Sequence, residues 1–127
     1  MIHIVTCAII AYDEKILAVQ RSASMSLPLK WEFPGGKIEY GESEEECVLR
    51  EIKEELNLEI IVLKKLQPSA FDYPHISIKL IPFIAKQVAG TIRLNEHAAY
   101  KYLSKNELMS LDWAEADIPI VKELQQL

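Results

Sequence analysis

Three glutamates, Glu51, Glu54 and Glu55, lie close together in the chain with no glycine or proline between them. A helix advances about 100° per residue. Glu51 and Glu55 then stand one turn apart, with Glu54 beside them, so three carboxylates share one face. Like charges at these spacings repel by roughly 0.2–0.5 kcal/mol per pair, and the C-terminal half of a helix disfavours anions. That placement costs stability and suits a hard divalent cation, which takes several converging oxygens. The plain alternative is a solvated acidic face balanced by Arg50 and Lys53. Upstream stand Gly35, Gly36, Lys37 and Glu42; far downstream stand Glu96 and Asp117. Lys37, next to the glycines, and Arg21, at a strand end, are candidate phosphate contacts. Phe33, Tyr73 and Ile4 are candidates to flank a flat ring.

The elements that must position these groups follow from pattern. Residues 3–12 are rich in Ile, Val and Thr and read as a buried strand. Asp13-Glu14 marks a turn, and residues 15–20 return as the second strand of a hairpin. Residues 21–30 read as loop. Trp31-Glu32-Phe33 is a short apolar piece stopped by Pro34-Gly35-Gly36, and residues 37–40 read as another short strand. Ser43 and Glu46 form a capping box that opens a helix through Leu56. Val48, Leu49, Ile52 and Leu56 make its apolar side, and Asn57 suits a left-handed cap. Residues 59–71 and 76–88 read as two long strands, with turns at Asp72-Tyr73-Pro74 and Ala89-Gly90. A strand over 98–103 follows. Ser104 with Glu107 opens a short helix to Ser110, and Asp117 with Pro119 opens the last helix.

Composition sets the frame. The chain has 127 residues with 19 acidic against 14 basic side chains, net charge −5. That length predicts one domain, residues 1–127. The acidic balance argues against a nucleic-acid polymer as partner, though not against a nucleotide whose phosphates a metal ion holds. Two cysteines, Cys7 and Cys47, outside any CxxC pair, fit a reducing compartment. No signal peptide or membrane-length apolar run is read, so a cytoplasmic location is expected. His3, His75 and His97 make no metal-ligand spacing. Trp31, Trp113 and Cys47 read as packing.

Gly36, Glu42, Arg50-Glu51, Ile52, Glu54-Glu55 and Leu58 together resemble the Nudix box, G-x5-E-x7-R-E-U-x-E-E-x-G-U, where U is a bulky aliphatic. Asn57 stands where the box has its second glycine, and Asn is the best substitute in a left-handed turn. The segments Trp31 to Glu39, Glu96-His97 and Ala116-Asp117-Ile118-Pro119 are similar to MutT-type members, especially the cytidine-nucleotide branch. The resemblance implies an α+β Nudix fold, an α/β/α sandwich with a mixed curved sheet and a loop–helix–loop. It implies Mg²⁺ (Mn²⁺ as the alternative) held by Glu51, Glu54, Glu55, Glu96 and the Gly35 carbonyl. The implied reaction takes a nucleoside triphosphate to monophosphate and pyrophosphate, a pool-sanitising activity related to DNA repair, on 8-oxo-dGTP or (d)CTP-like substrates. A glutamate of the cluster, among Glu51, Glu54 and Glu96, is the expected general base, with Glu51 placed first. Arg50 orients the cluster and Glu42 supports Arg50. Arg21, Phe33, Lys37, Tyr73 and Asp117 form the substrate side, with Asp117 either reading the base or capping the last helix. The partner is a small nucleotide, with the protein a monomer or weak dimer and no membrane. ADP-ribose, a nucleotide sugar or a dinucleotide polyphosphate is the alternative substrate, and a non-catalytic nucleotide-binding module is the alternative function.

Overall fold

A computed structural model describes residues 2–127. Strands β1 (Ile2–Tyr12) and β2 (Lys15–Gln20) form the hairpin. Its two turn residues, Asp13 (φ 52°) and Glu14 (φ 63°), are both left-handed, the twist that a two-residue hairpin loop needs.

β1 is the spine of an eight-stranded mixed sheet. On one side it runs parallel to β7 (Ile76–Gly90), from Ile2↔Ser77 to Ala11↔Lys86. Its other side is shared. Ala11 and Tyr12 pair with β2, whereas Val5, Thr6 and Cys7 pair with β4 (Gly35–Lys37). β3 (Trp31–Glu32) pairs with β2 instead. The chain therefore crosses between two branches at Phe33-Pro34, and the sheet forks there. β8 (Ala99–Leu103) borders β2, and β5 (Leu58–Lys65) and β6 (Ser69–Tyr73) both border β7.

Alternation along the strands feeds two cores. Ala8, Ile10, Leu17, Val19, Ile81 and Phe83 pack under α1 (Glu44–Leu56) through Val48, Ile52 and Leu56. Cys7, Ile9, Ile16, Ala18 and Leu80 pack under α2 (Ile118–Gln126) through Ile120, Val121 and Leu124. The result is the α/β/α layering expected of an α+β Nudix fold.

The Ser43–Glu46 capping box and the left-handed Asn57 cap (φ 59°) bound α1 as the sequence indicates. Leu49 differs: it is 40% exposed, and Cys47 takes the buried place beside Val48. The expected strand over residues 59–71 is two strands. Leu66 donates to the Pro82 carbonyl at 2.9 Å, and Pro68 has no N–H for a ladder. The short strand expected over 37–40 lies at Gly35–Lys37. Ala89-Gly90 does not form a turn; β7 runs through Gly90, whose φ of +97° brings it against the Asn57 carbonyl. The helix after Ser104 is a 3₁₀ helix, Lys105–Ser110.

Candidate active site

The fork between the β1–β4 and β2–β3 branches opens a cleft of about 220 Å³. Its mouth faces the C-terminal half of α1, and its floor reaches the start of α2.

Arg50 organises the mouth. Its Nε and Nη2 donate to the two Glu42 carboxylate oxygens at 2.6 and 3.0 Å. Nη1 donates to Glu51 at 2.9 Å and Glu54 at 3.1 Å, and Nη2 to the Lys37 carbonyl at 3.2 Å. One guanidinium thus ties the loop after β4 to two carboxylates of the helix, a fork geometry that lysine lacks. Its contacts hold the Glu42 carboxyl down at about 2. Gly36 fits this packing because a side chain there would overlap the Glu51 carboxylate, and one at Gly35 would overlap the Thr6 carbonyl. Thr6 and Cys47, both buried, fill the space beneath, with hydroxyl and sulfur 3.1 Å apart.

Burial pushes the Glu51 carboxyl up against the pull of Arg50, and Glu54 adds to the rise. Glu55 is raised by burial, then by Glu96 and Glu51. The chain brings Glu96 there with a strap: Arg93 and Asn95 donate to the Leu56 and Glu55 carbonyls at 2.9 and 3.1 Å, and Ala98 donates to Gln20 at 2.8 Å. Glu55 Oε2 is buried with no hydrogen-bond partner among the described residues. Among the described residues no three acidic, His or Cys side chains already converge on one point, since Arg50 draws Glu51 and Glu54 to itself. A repelling carboxylate cluster with an orphaned buried oxygen fits a hard cation. Gly35, Glu55 and Glu96 line the cleft, and Glu51 and Glu54 stand beside Glu55 on α1, so these are the candidate ligands.

The floor is assembled from distant segments. Phe33 is 2% exposed, its ring 4.7 Å from that of Trp113. The Tyr73 hydroxyl accepts the Ala116 N–H at 3.0 Å. Asp117 is buried, and its Oδ2 accepts the Phe33 N–H at 3.0 Å. It makes no capping bond to α2, so the helix-cap alternative is set aside. Burial, then the nearby Glu32, drives its carboxyl well above the ordinary range. Lys37 lines the mouth.

Two expectations shift. Arg21 lines the cleft, but its guanidinium is occupied, donating to the Ser26 carbonyl and hydroxyl and to Glu32 at 2.9 Å. It orders the loop of residues 22–30, where Leu27 (φ 50°) and Leu29 (φ 63°) are left-handed. Ile4 faces another groove with Ile38 and Tyr40. Val5, one position on, faces the cleft, as a period of two requires.

Glu32 and His97 line the same cleft, and sequence spacing assigns neither a role there. Glu32 accepts from Arg21 on one oxygen and meets His97 Nε2 at 2.9 Å on the other. Strand alternation held the signal for Glu32, because buried Trp31 puts its neighbour on the opposite face. His97 lies in a segment similar to MutT-type members, but no local pattern gives it a partner.

Loop, acidic helix and forked sheet together define a class, and the sequence matches the NUDIX domain family over residues 1–124. The chain belongs to the Nudix family. It is 35% identical over 123 residues to the CTP pyrophosphohydrolase of Escherichia coli (strain K12), covering 97% of this chain and 91% of that one. It is 28% identical over 115 residues to the 8-oxo-dGTP diphosphatase of the same strain, covering 91% and 89%. The solution structure of a MutT Nudix hydrolase from methicillin-resistant Staphylococcus aureus 252 superposes with TM-score 0.80 at 41% identity, covering 99% and 97%. A MutT protein from Methanosarcina mazei Go1, at 22% identity over 98% of this chain and 94% of that one, shares the fold with TM-score 0.89. The chain is a Nudix hydrolase, a pyrophosphohydrolase acting on acid anhydrides of small nucleotides. Nudix hydrolases use divalent metal ions. No helix among the described residues is long and apolar enough to cross a membrane.

Proposed function

We propose that the protein is a Mg²⁺-dependent nucleoside triphosphate pyrophosphohydrolase of the nucleotide pool, acting on (d)CTP-like or 8-oxo-dGTP substrates. The observation that carries this reading is the pairing of a carboxylate-rimmed mouth with an apolar floor ending in one buried acid. The similarity to a CTP pyrophosphohydrolase and an 8-oxo-dGTP diphosphatase supports it.

The nucleoside lies on the floor against Phe33 and Tyr73. Asp117, with Oδ2 occupied by Phe33, turns Oδ1 to the base edge. A carboxyl oxygen accepts from a donor such as the cytosine amine. The polyphosphate then reaches the mouth, where Lys37 meets its charge. Glu51, Glu54, Glu55 and Glu96 would hold the ion. When bound, that ion neutralises phosphate oxygens and lowers the pKa of its water. A glutamate of the cluster takes the proton of the attacking water, and Glu51, whose carboxyl burial raises above its ordinary range, is suited to this. One water is consumed, one P–O–P bond breaks, and monophosphate and pyrophosphate leave. Arg50 keeps the glutamates in place and touches no substrate.

The test is a panel of (d)CTP, 8-oxo-dGTP, the other nucleoside triphosphates, ADP-ribose and a nucleotide sugar, each incubated with Mg²⁺ and resolved by ion exchange. Pyrophosphate and monophosphate are expected from triphosphates, with no turnover in EDTA. Orthophosphate as first product, preference for ADP-ribose, or full activity in EDTA overturns the reading.

A further inference from the structure

Two buried side-chain atoms lack a hydrogen-bond partner among the described residues, Glu55 Oε2 and His97 Nδ1. Both residues line the same cleft. The His97 side chain is only 5% exposed. Its other nitrogen is fixed: Nε2 faces a Glu32 oxygen at 2.9 Å. An ionised carboxylate only accepts, so Nε2 is the donor and carries the proton. In the neutral ring Nδ1 is then a bare acceptor. Glu55 Oε2 is an acceptor as well, so the two cannot satisfy each other. A group with two donors can satisfy both, and in a polar cleft that group is water.

We propose that His97 is a positioning residue for the metal end: anchored through Nε2 on Glu32, it fixes the Glu55 carboxylate through a water that donates to both His97 Nδ1 and Glu55 Oε2. This rests on the reading of Glu55 as a metal ligand. The anchor is itself braced, because the second Glu32 oxygen is held by Arg21, which is tied to Ser26. His97 also follows Glu96 on the strap bound to the end of α1. One imidazole thus ties the Glu96 strap and the Glu55 side chain to β3. Outer partners of this kind typically tune metal affinity or turnover about 10–100-fold.

The probe is Mn²⁺ alone, titrated into the nucleotide-free full-length protein and followed by the electron paramagnetic resonance of free Mn²⁺. His97→Gln keeps a donor toward Glu32 and leaves nothing at the Nδ1 position. Mn²⁺ affinity is expected to fall about 10-fold or more, and kcat about 10–100-fold, with KM for the nucleotide changed less than roughly threefold. Coupling is read by repeating the change in Glu55→Gln. If His97 acts through Glu55, the second substitution adds less than about twofold to the loss in either quantity. His97→Asn, which keeps a polar atom at the Nδ1 position, provides a second variant for the same cycle. Wild-type affinity and kcat in His97→Gln, or an undiminished loss in the Glu55→Gln background, overturns the inference alone. Failure of the unmodified protein to bind Mn²⁺ overturns the metal reading and this inference with it.

Discussion

The two ends of the cleft are built in opposite ways. The mouth comes from one short stretch, Gly35 to Glu55, plus Glu96, and its order comes from charge: one guanidinium holds Glu42, Glu51 and Glu54. The floor comes from Phe33, Tyr73, Ala116 and Asp117, far apart in sequence, and its order comes from burial and two hydrogen bonds. One acid at each end shows the contrast, although burial also raises Glu51 and Glu55 at the mouth. Glu42 is held down by Arg50, whereas Asp117 is pushed up by its dry surroundings. An ion-holding site can keep its charges near water, where relief of repulsion waits on the ion. A base-reading site must exclude water so that each unmade hydrogen bond carries a cost.

The largest effect should fall at the mouth. Glu54→Gln removes one charge from a crowded face while keeping shape and helix propensity. Its ion pair with Arg50 is more than half exposed on the Glu54 side, so its loss costs little stability. Turnover should drop about 10³-fold, while Tm in EDTA stays equal or rises. Marked destabilisation with near-normal turnover would show Glu54 to be a structural partner. Gly36→Ala tests the same end through shape alone. A methyl there overlaps the Glu51 carboxylate, and displacement by about 1 Å costs on the order of 10²-fold in rate. Substrate KM should move little, since the floor is untouched. An equal rise in KM would mean that the ends are not separable.

This contrast also sets what the sequence could reveal. The mouth was legible because helix periodicity converts the spacing of Glu51, Glu54 and Glu55 directly into geometry. The same holds for Ser43 and Asn57, whose capping roles depend on neighbours three or four residues away. The floor is tertiary. Tyr73 and Asp117 come together only because β6 packs against the turn Glu115–Asp117, whose preceding residues 112–114 are hydrogen-bonded to Trp31 of β3. Ile4 was misplaced by one residue because strand register, not residue type, decides the face. Leu49 was misread since a wheel cannot say which flank of an apolar stripe meets the sheet, and Cys47 filled that flank. Arg21 looked like a free cation because its partner Ser26 lies within a loop of no regular period. The role of His97 is not legible locally, because its partner Glu32 is on another strand.

A smaller effect is expected on the floor. Asp117→Asn keeps an acceptor for the Phe33 N–H and puts an amide, a permanent donor, at the base edge. We expect kcat/KM for dCTP to fall at least about tenfold, or about 1.4 kcal/mol of transition-state binding, with 8-oxo-dGTP affected less. Competition between the two substrates in one reaction measures the ratio directly. Equal losses, or none, would place base selection away from Asp117 and weaken the division between the ends.

The smallest effect is in stability, and it separates the ends by sign. Glu42 has its folded pKa lowered to about 2 from an ordinary value of 4.5. Its contribution is therefore present above about pH 4.5 and is lost as pH falls toward 2. Asp117 has its folded pKa raised from 3.8. The folded state then holds a proton that the unfolded chain has released, so stability is lost as pH rises from 3.8 through the folded value. Glu42→Gln should accordingly melt below the wild type at neutral pH and approach it as pH falls through the acid range. Asp117→Asn carries no such proton, so its Tm should gain on the wild type as pH rises above 4, about the ordinary carboxyl value. Calorimetric Tm differences across an acid-to-neutral series distinguish the two slopes. Parallel slopes for the two variants would mean that both acids share one environment, and the contrast between a wet mouth and a dry floor would fail.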